Sequence, residues 1–110
     1  MQYSVILAPE AVNDFKRLSA GERSKIRKTI EIHLRHEPAK ISKSRIKRLR
    51  GISRPEYRLR VDEFRIFYDI KENEVEILAI VPKSKASKWL ERYGEKNEND
   101  STFRNQRSII

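Results

Sequence analysis

The stretch EYRLRVDEFRIFYDI, residues 56–70, alternates apolar and polar side chains on both sides of an Asp-Glu pair. A period of two is the pattern of a half-buried β-strand, and two such runs separated by two residues predict a β-hairpin. We place its strands at 57–61 and 64–70, although Asp-Glu is not a favoured hairpin pair. A shift of one residue would turn every side chain to the other face and bury the arginines. The chain is therefore predicted to contain a tight hairpin with one apolar face.

The other face of this hairpin carries charge where a sheet would normally avoid it. Four side chains share it in the predicted register: Arg58, Arg60, Arg65 and Phe67. Arg60 lies opposite Arg65, and like charges in that position destabilise a sheet. Phosphate would remove the cost, because guanidinium binds it with paired hydrogen bonds, and Phe67 would add a stacking surface. Neutralisation by Asp69, Glu76 or a C-terminal carboxylate is the alternative.

A strongly basic connector, residues 39–56, precedes the hairpin. Over the whole chain 25 Lys and Arg stand against 16 Asp and Glu, a net charge of +9. A basic surface attracts polyanions, which predicts a nucleic-acid partner; an acidic protein partner and a solvated loop are the alternatives. The segment IKRLRG fits a short strand or a turn. The residues of the connector expected to contact RNA are Lys47, Arg48, Arg50 and Arg54.

The remaining periodicities predict an α+β fold in the order β-α-α-β-β-β-α. We predict a first strand at 2–8, a helix from Pro9, a second helix at 20–38 with Ser19 and Glu22 as its capping box, a strand at 74–81 and a last helix at 84–93. This order favours a mostly antiparallel sheet with the N-terminal helical hairpin packed on one face. Residues 1–93 are predicted to form one domain and 94–110 a disordered tail.

Several classes of site and location find no support in the composition. Without cysteine, neither disulfides nor thiolate metal sites can form. His33 and His36 have helical spacing and no third ligand nearby, so we predict no metal and no cofactor. We expect these histidines at a core edge and a helix end rather than in catalysis.

No apolar run approaches the ~20 residues of a membrane span, and the first residues do not resemble a signal peptide, which favours the cytoplasm.

Three segments together resemble a known family: IKRLRG, EYRLRVDEFRIFYDI and EVEILAIVPKSKASKWLERY. They are similar to the RelE/ParE superfamily of bacterial toxins from type II toxin–antitoxin systems, in which an LxG turn precedes a YRLRVxxYRIxY hairpin and an apolar strand. The opening YSVILAPEAVNDFKRLS also resembles the usual start of the family. The resemblance covers residues 2 to about 93 in the same element order and implies a RelE-like fold.

RelE-like members cleave messenger RNA in the ribosomal A site without metal, by attack of a ribose 2′-hydroxyl on the adjacent phosphate. Two basic residues of their first hairpin strand match Arg58 and Arg60, and the arginine of the second strand matches Arg65. The resemblance implies that these side chains bind the scissile phosphate and stabilise the extra charge of the transition state.

The chain departs from this family pattern after its last apolar strand. Ser84 stands where RelE proteins usually carry a catalytic arginine, and we expect the flanking Lys83 and Lys85 to supply the cation. Leu90 stands at the position of the family tyrosine, with Tyr93 one helical turn later. We expect Tyr93 to pack in the apolar stripe of the helix with Trp89. The proton transfer would then fall to a basic side chain or water.

The resemblance also implies partners. A RelE-like toxin would bind the ribosome, with contacts to mRNA and 16S rRNA, and would be held inactive by a cognate antitoxin. Two other functions remain open at this point: a ParE-like inhibitor of DNA gyrase, and a non-catalytic module that binds RNA or the ribosome.

Overall fold

The computed structural model describes residues 2–96, which form seven strands and three helices. The strands are β1 (Ser4–Leu7), β2 (Ile46–Arg48), β3 (Ile52–Arg54), β4 (Tyr57–Val61), β5 (Phe64–Lys71), β6 (Glu74–Pro82) and β7 (Glu95–Lys96). The helices are α1 (Pro9–Lys16), α2 (Ala20–Leu34) and α3 (Lys83–Tyr93). The predicted element order is confirmed, with β2, β3 and β7 as short additions.

Five strands form one sheet in the order β1-β6-β5-β4-β2. Only the β1–β6 pair of this sheet is parallel, so the predicted mostly antiparallel α+β architecture is confirmed. The IKRLRG segment supplies β2, which pairs with β4 and forms one edge of the sheet. β3 and β7 pair separately as a two-stranded sheet.

The main core lies between the sheet and the helices α1 and α2. Ile26, Ile30 and Leu34 recur every four residues along α2 and are buried against the apolar face of the sheet. The predicted capping box is present, because the Glu22 amide donates to Ser19 Oγ (3.1 Å) and the Ser19 amide donates to Glu22 Oε1 (2.9 Å). The N-terminal helical hairpin therefore packs on one face, as predicted.

The second helix ends earlier than the sequence suggested. α2 stops at Leu34, four residues before Pro38. A residue that precedes proline is disfavoured in helical conformation, which moves the end of the helix upstream. Pro38 itself is buried, and its carbonyl accepts a 2.6 Å hydrogen bond from the hydroxyl of Tyr68.

The last helix packs on the opposite face of the sheet. A second apolar cluster forms there, from the sheet residues Phe67, Ala79 and Val81 and the covering side chains Leu49, Ala86, Trp89 and Leu90. The helix therefore covers the β5–β6 half of this face, and Leu49, from the segment after β2, adds to the cluster.

The predicted tail begins with structure. Glu95 and Lys96 form β7 against β3, while the rest of the predicted tail, 97–110, lies outside the described residues. No helix within residues 2–96 is long and apolar enough to cross a membrane.

Candidate functional site

The hairpin has the register that the sequence predicts. Arg60 pairs with Arg65 and Arg58 with Phe67, so the three arginines share the face that α3 half covers. The Asp62-Glu63 turn is possible because Asp62 adopts a left-handed conformation (φ 50°), which aspartate tolerates better than most residues. An ion pair of 2.6 Å between Lys25 Nζ and Asp62 Oδ2 ties the turn to α2. We call Arg58, Arg60 and Arg65 the arginine cluster.

The three guanidinium groups differ in exposure. Arg60 is exposed and Arg58 is half-buried. Arg65 lies on the predicted face but is only 7% exposed, so the expectation of three freely exposed arginines is wrong for this residue. Its Nη1 folds back onto the turn and donates to the carbonyls of Asp62 and Phe64, each at 2.9 Å.

Positive charge in the arginine cluster is not balanced by a carboxylate of residues 2–96. None of these three guanidinium groups has an acidic side chain within 4.0 Å in that part of the chain. Burial, followed by repulsion from Arg65 and Arg60, lowers the pKa of Arg58 below its ordinary value. Burial and the charge of Arg60 lower the pKa of Arg65, against a smaller opposing effect of Glu63. The cluster is thus an arrangement of cations that repel each other.

One donor of the cluster is also left without a partner. Arg58 Nε is buried and makes no hydrogen bond within the described residues. An unsatisfied buried donor costs about 1–3 kcal/mol, and more when the group is charged. Such a group in a native protein calls for an explanation, and a turn of the Arg58 side chain that brings Nε to an anionic ligand would supply one.

The acids that were expected as alternative partners bind a different arginine. Arg54 pairs with Glu76 (Nη2–Oε1, 3.3 Å) and with Asp69 (Nε–Oδ2, 3.6 Å). Asp69 also accepts a 2.7 Å hydrogen bond from the amide of Glu56. Neutralisation of the arginine cluster by Asp69 or Glu76 is therefore wrong, because Arg54 holds both carboxylates.

Only some of the predicted RNA-contacting residues lie beside the cluster. Lys47 does, because it pairs with Arg58 across β2 and β4. Arg48 lies on the other face, where it pairs with Glu56 at 3.1 Å and its guanidinium sits 5.8 Å from the ring centroid of Tyr57. Arg50 is exposed beyond the end of β2, and Arg54 is ion-paired as described. Of the four connector residues predicted to contact RNA, Lys47 is therefore the one that lies beside the arginine cluster.

A further cation beside the cluster was absent from the predicted set. The amide of Arg60 donates to the carbonyl of Arg45 (2.9 Å), and Arg45 Nη1 donates back to the carbonyl of Arg60 (3.1 Å). This places Arg45 at the edge of the sheet next to Arg60. The signal was available in the sequence, since Arg45 and Lys47 alternate with Ile46 and would share a side once this segment is read as a strand.

Phe67 is on the predicted face but is not an exposed stacking surface. It is 1% exposed, and its ring stacks on Trp89 with centroids 5.0 Å apart and planes at 5°. Trp89 Nε1 in turn donates to Glu10 Oε2 (2.7 Å), which fixes α3 to α1. The expectation that Phe67 offers a surface to RNA bases is therefore wrong in this structure. The expected packing role of Trp89 agrees with these contacts.

The two lysines at the start of α3 have different surroundings. The amide of Lys83 donates to the carbonyl of Glu63 (2.6 Å), which sets the start of α3 beside the hairpin turn and its arginines. Lys85 instead lines a cavity of about 450 Å³ between α1 and α3, together with Asp14. Of the two, Lys83 is the one whose backbone is bonded to the hairpin turn.

None of the tyrosines in residues 2–96 faces the arginine cluster. Tyr3, Tyr57 and Tyr68 pack into the main core, and burial raises the pKa of Tyr68 above its ordinary value. Tyr93 is 53% exposed and borders the cavity between α1 and α3, so its expected place in the apolar packing is only partly correct. His33, whose pKa is lowered by burial and by Arg45, is half-buried on α2.

Comparison with known protein families shows the class to which this fold and its basic hairpin belong. The family described as the ParE toxin of type II toxin–antitoxin systems, parDE, matches residues 5–87. The chain belongs to this ParE toxin family within the RelE/ParE superfamily.

Solved structures with the same fold come from toxin–antitoxin systems. The archaeal RelE–RelB complex from Pyrococcus horikoshii OT3 is 23% identical and has a TM-score of 0.63, over 77% of this chain and 99% of that one. The complex RelBE2 from Mycobacterium tuberculosis is 22% identical with a TM-score of 0.61, over 74% and 92%. The YoeB dimer from Staphylococcus aureus is 20% identical with a TM-score of 0.51, over 72% and 94%. No curated protein matches the sequence at a significant level.

Proposed function

We propose that this toxin is a ribosome-dependent endoribonuclease that cleaves mRNA in the A site and so stops translation. The observation that carries the proposal is the arginine cluster, whose charges have no carboxylate partner in residues 2–96 and whose Arg58 Nε has no acceptor there. A protein that only needs a stable sheet gains nothing from this arrangement. A protein that binds a phosphodiester in the transition state gains a preorganised set of donors.

The reaction needs no metal in this proposal. The 2′-oxygen of a ribose attacks the adjacent phosphorus, the new P–O2′ bond forms, and the P–O5′ bond breaks. The products are a 2′,3′-cyclic phosphate and a 5′-hydroxyl. Arg58 and Arg65 donate to the non-bridging oxygens, where charge increases in the transition state, and Arg60 adds a third cation at the open side.

Proton transfer goes through water in this scheme. The attacking 2′-hydroxyl gives up a proton and the leaving 5′-oxygen takes one, so the two transfers balance. Tyr3, Tyr57 and Tyr68 pack into the main core and Tyr93 borders the cavity between α1 and α3, so this scheme assigns the task to no phenol of residues 2–96. Lys83, at the start of α3, supplies a further cation near the leaving group.

The comparisons support one partner in this proposal, a cognate antitoxin. The structures with this fold from P. horikoshii and M. tuberculosis are complexes of a toxin with its antitoxin. We propose that a cognate antitoxin likewise holds this chain inactive in the cytoplasm, and that the ribosome, through mRNA and 16S rRNA, is its target.

Inhibition of DNA gyrase is the second candidate. It is favoured by the matching family, which is described as the ParE toxin. A gyrase inhibitor acts as a protein ligand and does not need a phosphate site on the hairpin. The two functions therefore make different predictions for the same purified protein.

One pair of assays separates the two candidates. In a translating cell extract, we expect the protein to cut a reporter mRNA at positions inside the translated region, as read by primer extension, and to leave the untranslated regions intact. In a supercoiling assay with purified gyrase, we expect no inhibition at the same concentration. Gyrase inhibition without mRNA cleavage would overturn the proposal, and equal cleavage of naked RNA would replace it with a free ribonuclease.

A further inference from the structure

We propose that Arg45 and Lys47 form a second phosphate site, which holds the nucleotide next to the one being cleaved. This inference rests on the proposed function and extends its site from β4 and β5 to the edge strand β2. The ligand is the backbone of single-stranded RNA, recognised by its charge rather than by its bases.

The two cations continue the arginine cluster across one strand. Lys47 is the direct partner of Arg58, and Arg45 is hydrogen-bonded to the backbone of Arg60. Neighbouring strands lie about 4.8 Å apart, so the new site begins one strand from the cluster. Neither side chain has a carboxylate within 4.0 Å among the described residues, and the guanidinium of Arg45 is held in place by its bond to the Arg60 carbonyl.

Two of the other directions from the cluster are less favourable for a polyanion. On the β6 side, α3 covers the sheet through the stacked Phe67 and Trp89. Beyond Arg58, away from the turn, β5 and β6 carry the acids Asp69, Glu76 and Glu74, of which the first two are ion-paired with Arg54. An RNA strand that leaves the cluster across β2 avoids both the apolar wall and these acids, and it meets Arg45 and Lys47 there.

The test removes the positive charges of Arg45 and Lys47 and is designed to leave the fold unchanged. The double variant Arg45→Ala/Lys47→Ala removes two positive charges at the sheet edge. The control Lys16→Ala/Lys28→Ala removes two exposed lysines on α1 and α2, which pack on the other face and make no ion pair within residues 2–96. Net charge is therefore equal in the two proteins.

Binding is measured with a short RNA that carries a 2′-deoxyribose at the cleavage site, so that it cannot react. We expect the Arg45/Lys47 variant to bind about 10-fold more weakly at 0.1 M salt, with the slope of log Kd against log salt reduced by about 1.4, or 0.7 for each lost phosphate contact. The control should keep the wild-type slope. On programmed ribosomes the same variant should raise KM and change kcat by less than about 3-fold, because the reacting phosphate is held elsewhere.

The outcomes distinguish this inference from the function on which it rests. A variant that behaves like the control, in a wild-type protein that does cleave mRNA, overturns the second phosphate site and leaves the ribonuclease intact. A loss of kcat with unchanged KM also overturns it, because the residues would then act at the reacting phosphate. A wild-type protein that neither binds the RNA nor cleaves on the ribosome overturns both.

Discussion

Replacing Arg58 with methionine is expected to make the protein more stable and at least ~100-fold less active, the usual scale for loss of one transition-state charge partner. In the folded state the charged form of Arg58 is disfavoured by burial and by its two arginine neighbours, so its pKa is lowered. A cation whose pKa is lowered by folding destabilises the fold at every pH below that pKa, which includes the working range. Methionine keeps the apolar stem and removes the unpaired donor, for a gain of about 1 kcal/mol.

Arg54 provides a control in which the opposite effects are expected, a loss of stability with activity kept. Arg54→Met leaves Asp69 and Glu76 without their cation, so it should lower stability and leave cleavage within a few-fold of wild type.

Arg65→Ala should lose at least ~100-fold activity, like the Arg58 variant. It should also lose stability, because Arg65 bonds to two turn carbonyls. Chemical denaturation measures the stability of each variant, and single-turnover cleavage on ribosomes measures its activity. A destabilised Arg58→Met protein with normal activity would show that the cluster serves the fold.

Phe67→Ala is expected to lower the free energy of unfolding by about 3–4 kcal/mol, the usual cost of a buried Phe-to-Ala change. The side chain fills the space between the sheet and α3, where it stacks on Trp89. Its removal leaves a cavity and loosens the packing of α3 on the sheet. Equilibrium unfolding in urea measures the loss, which is a large fraction of the stability of a small domain.

Activity distinguishes packing from base recognition at this position. Phe67→Leu restores an apolar filling without an aromatic ring, so it should recover most of the stability and keep cleavage within about 3-fold of wild type. A stable Phe67→Leu protein that has lost cleavage would mean that the ring contacts a base, and that α3 moves away from it on the ribosome.

The sequence predicted the features that depend on local pattern. Alternation over 57–61 and 64–70 determined the hairpin register, because only one register places Leu59 and Ile66 in the core. The Ser19–Glu22 capping box could be read from two residues at the right spacing. These features involve residues close together in the chain, so their geometry follows from the period of the element.

The features that were missed depend on residues distant in the chain. Phe67 was expected to be exposed because alternation assigns only one buried face to a strand, whereas α3 buries part of the second. The pairing of Arg54 with Glu76 joins residues 22 positions apart and leaves no local signal. β2 has only three residues, two of them basic, so its place beside β4 could not be separated from a loop.

The most direct test of the central claim is to observe the arginine side chains while RNA binds. In NMR spectra of the protein with ¹⁵N-labelled arginine, the Nε–H signal of Arg58 reports on the buried donor that has no partner among residues 2–96. On addition of the 2′-deoxy RNA, we predict that the signals of Arg58 and Arg65 shift, while those of Arg48 and Arg54 stay unchanged. Shifts confined to Arg48 and Arg54, with Arg58 unaffected at saturating RNA, would contradict the account.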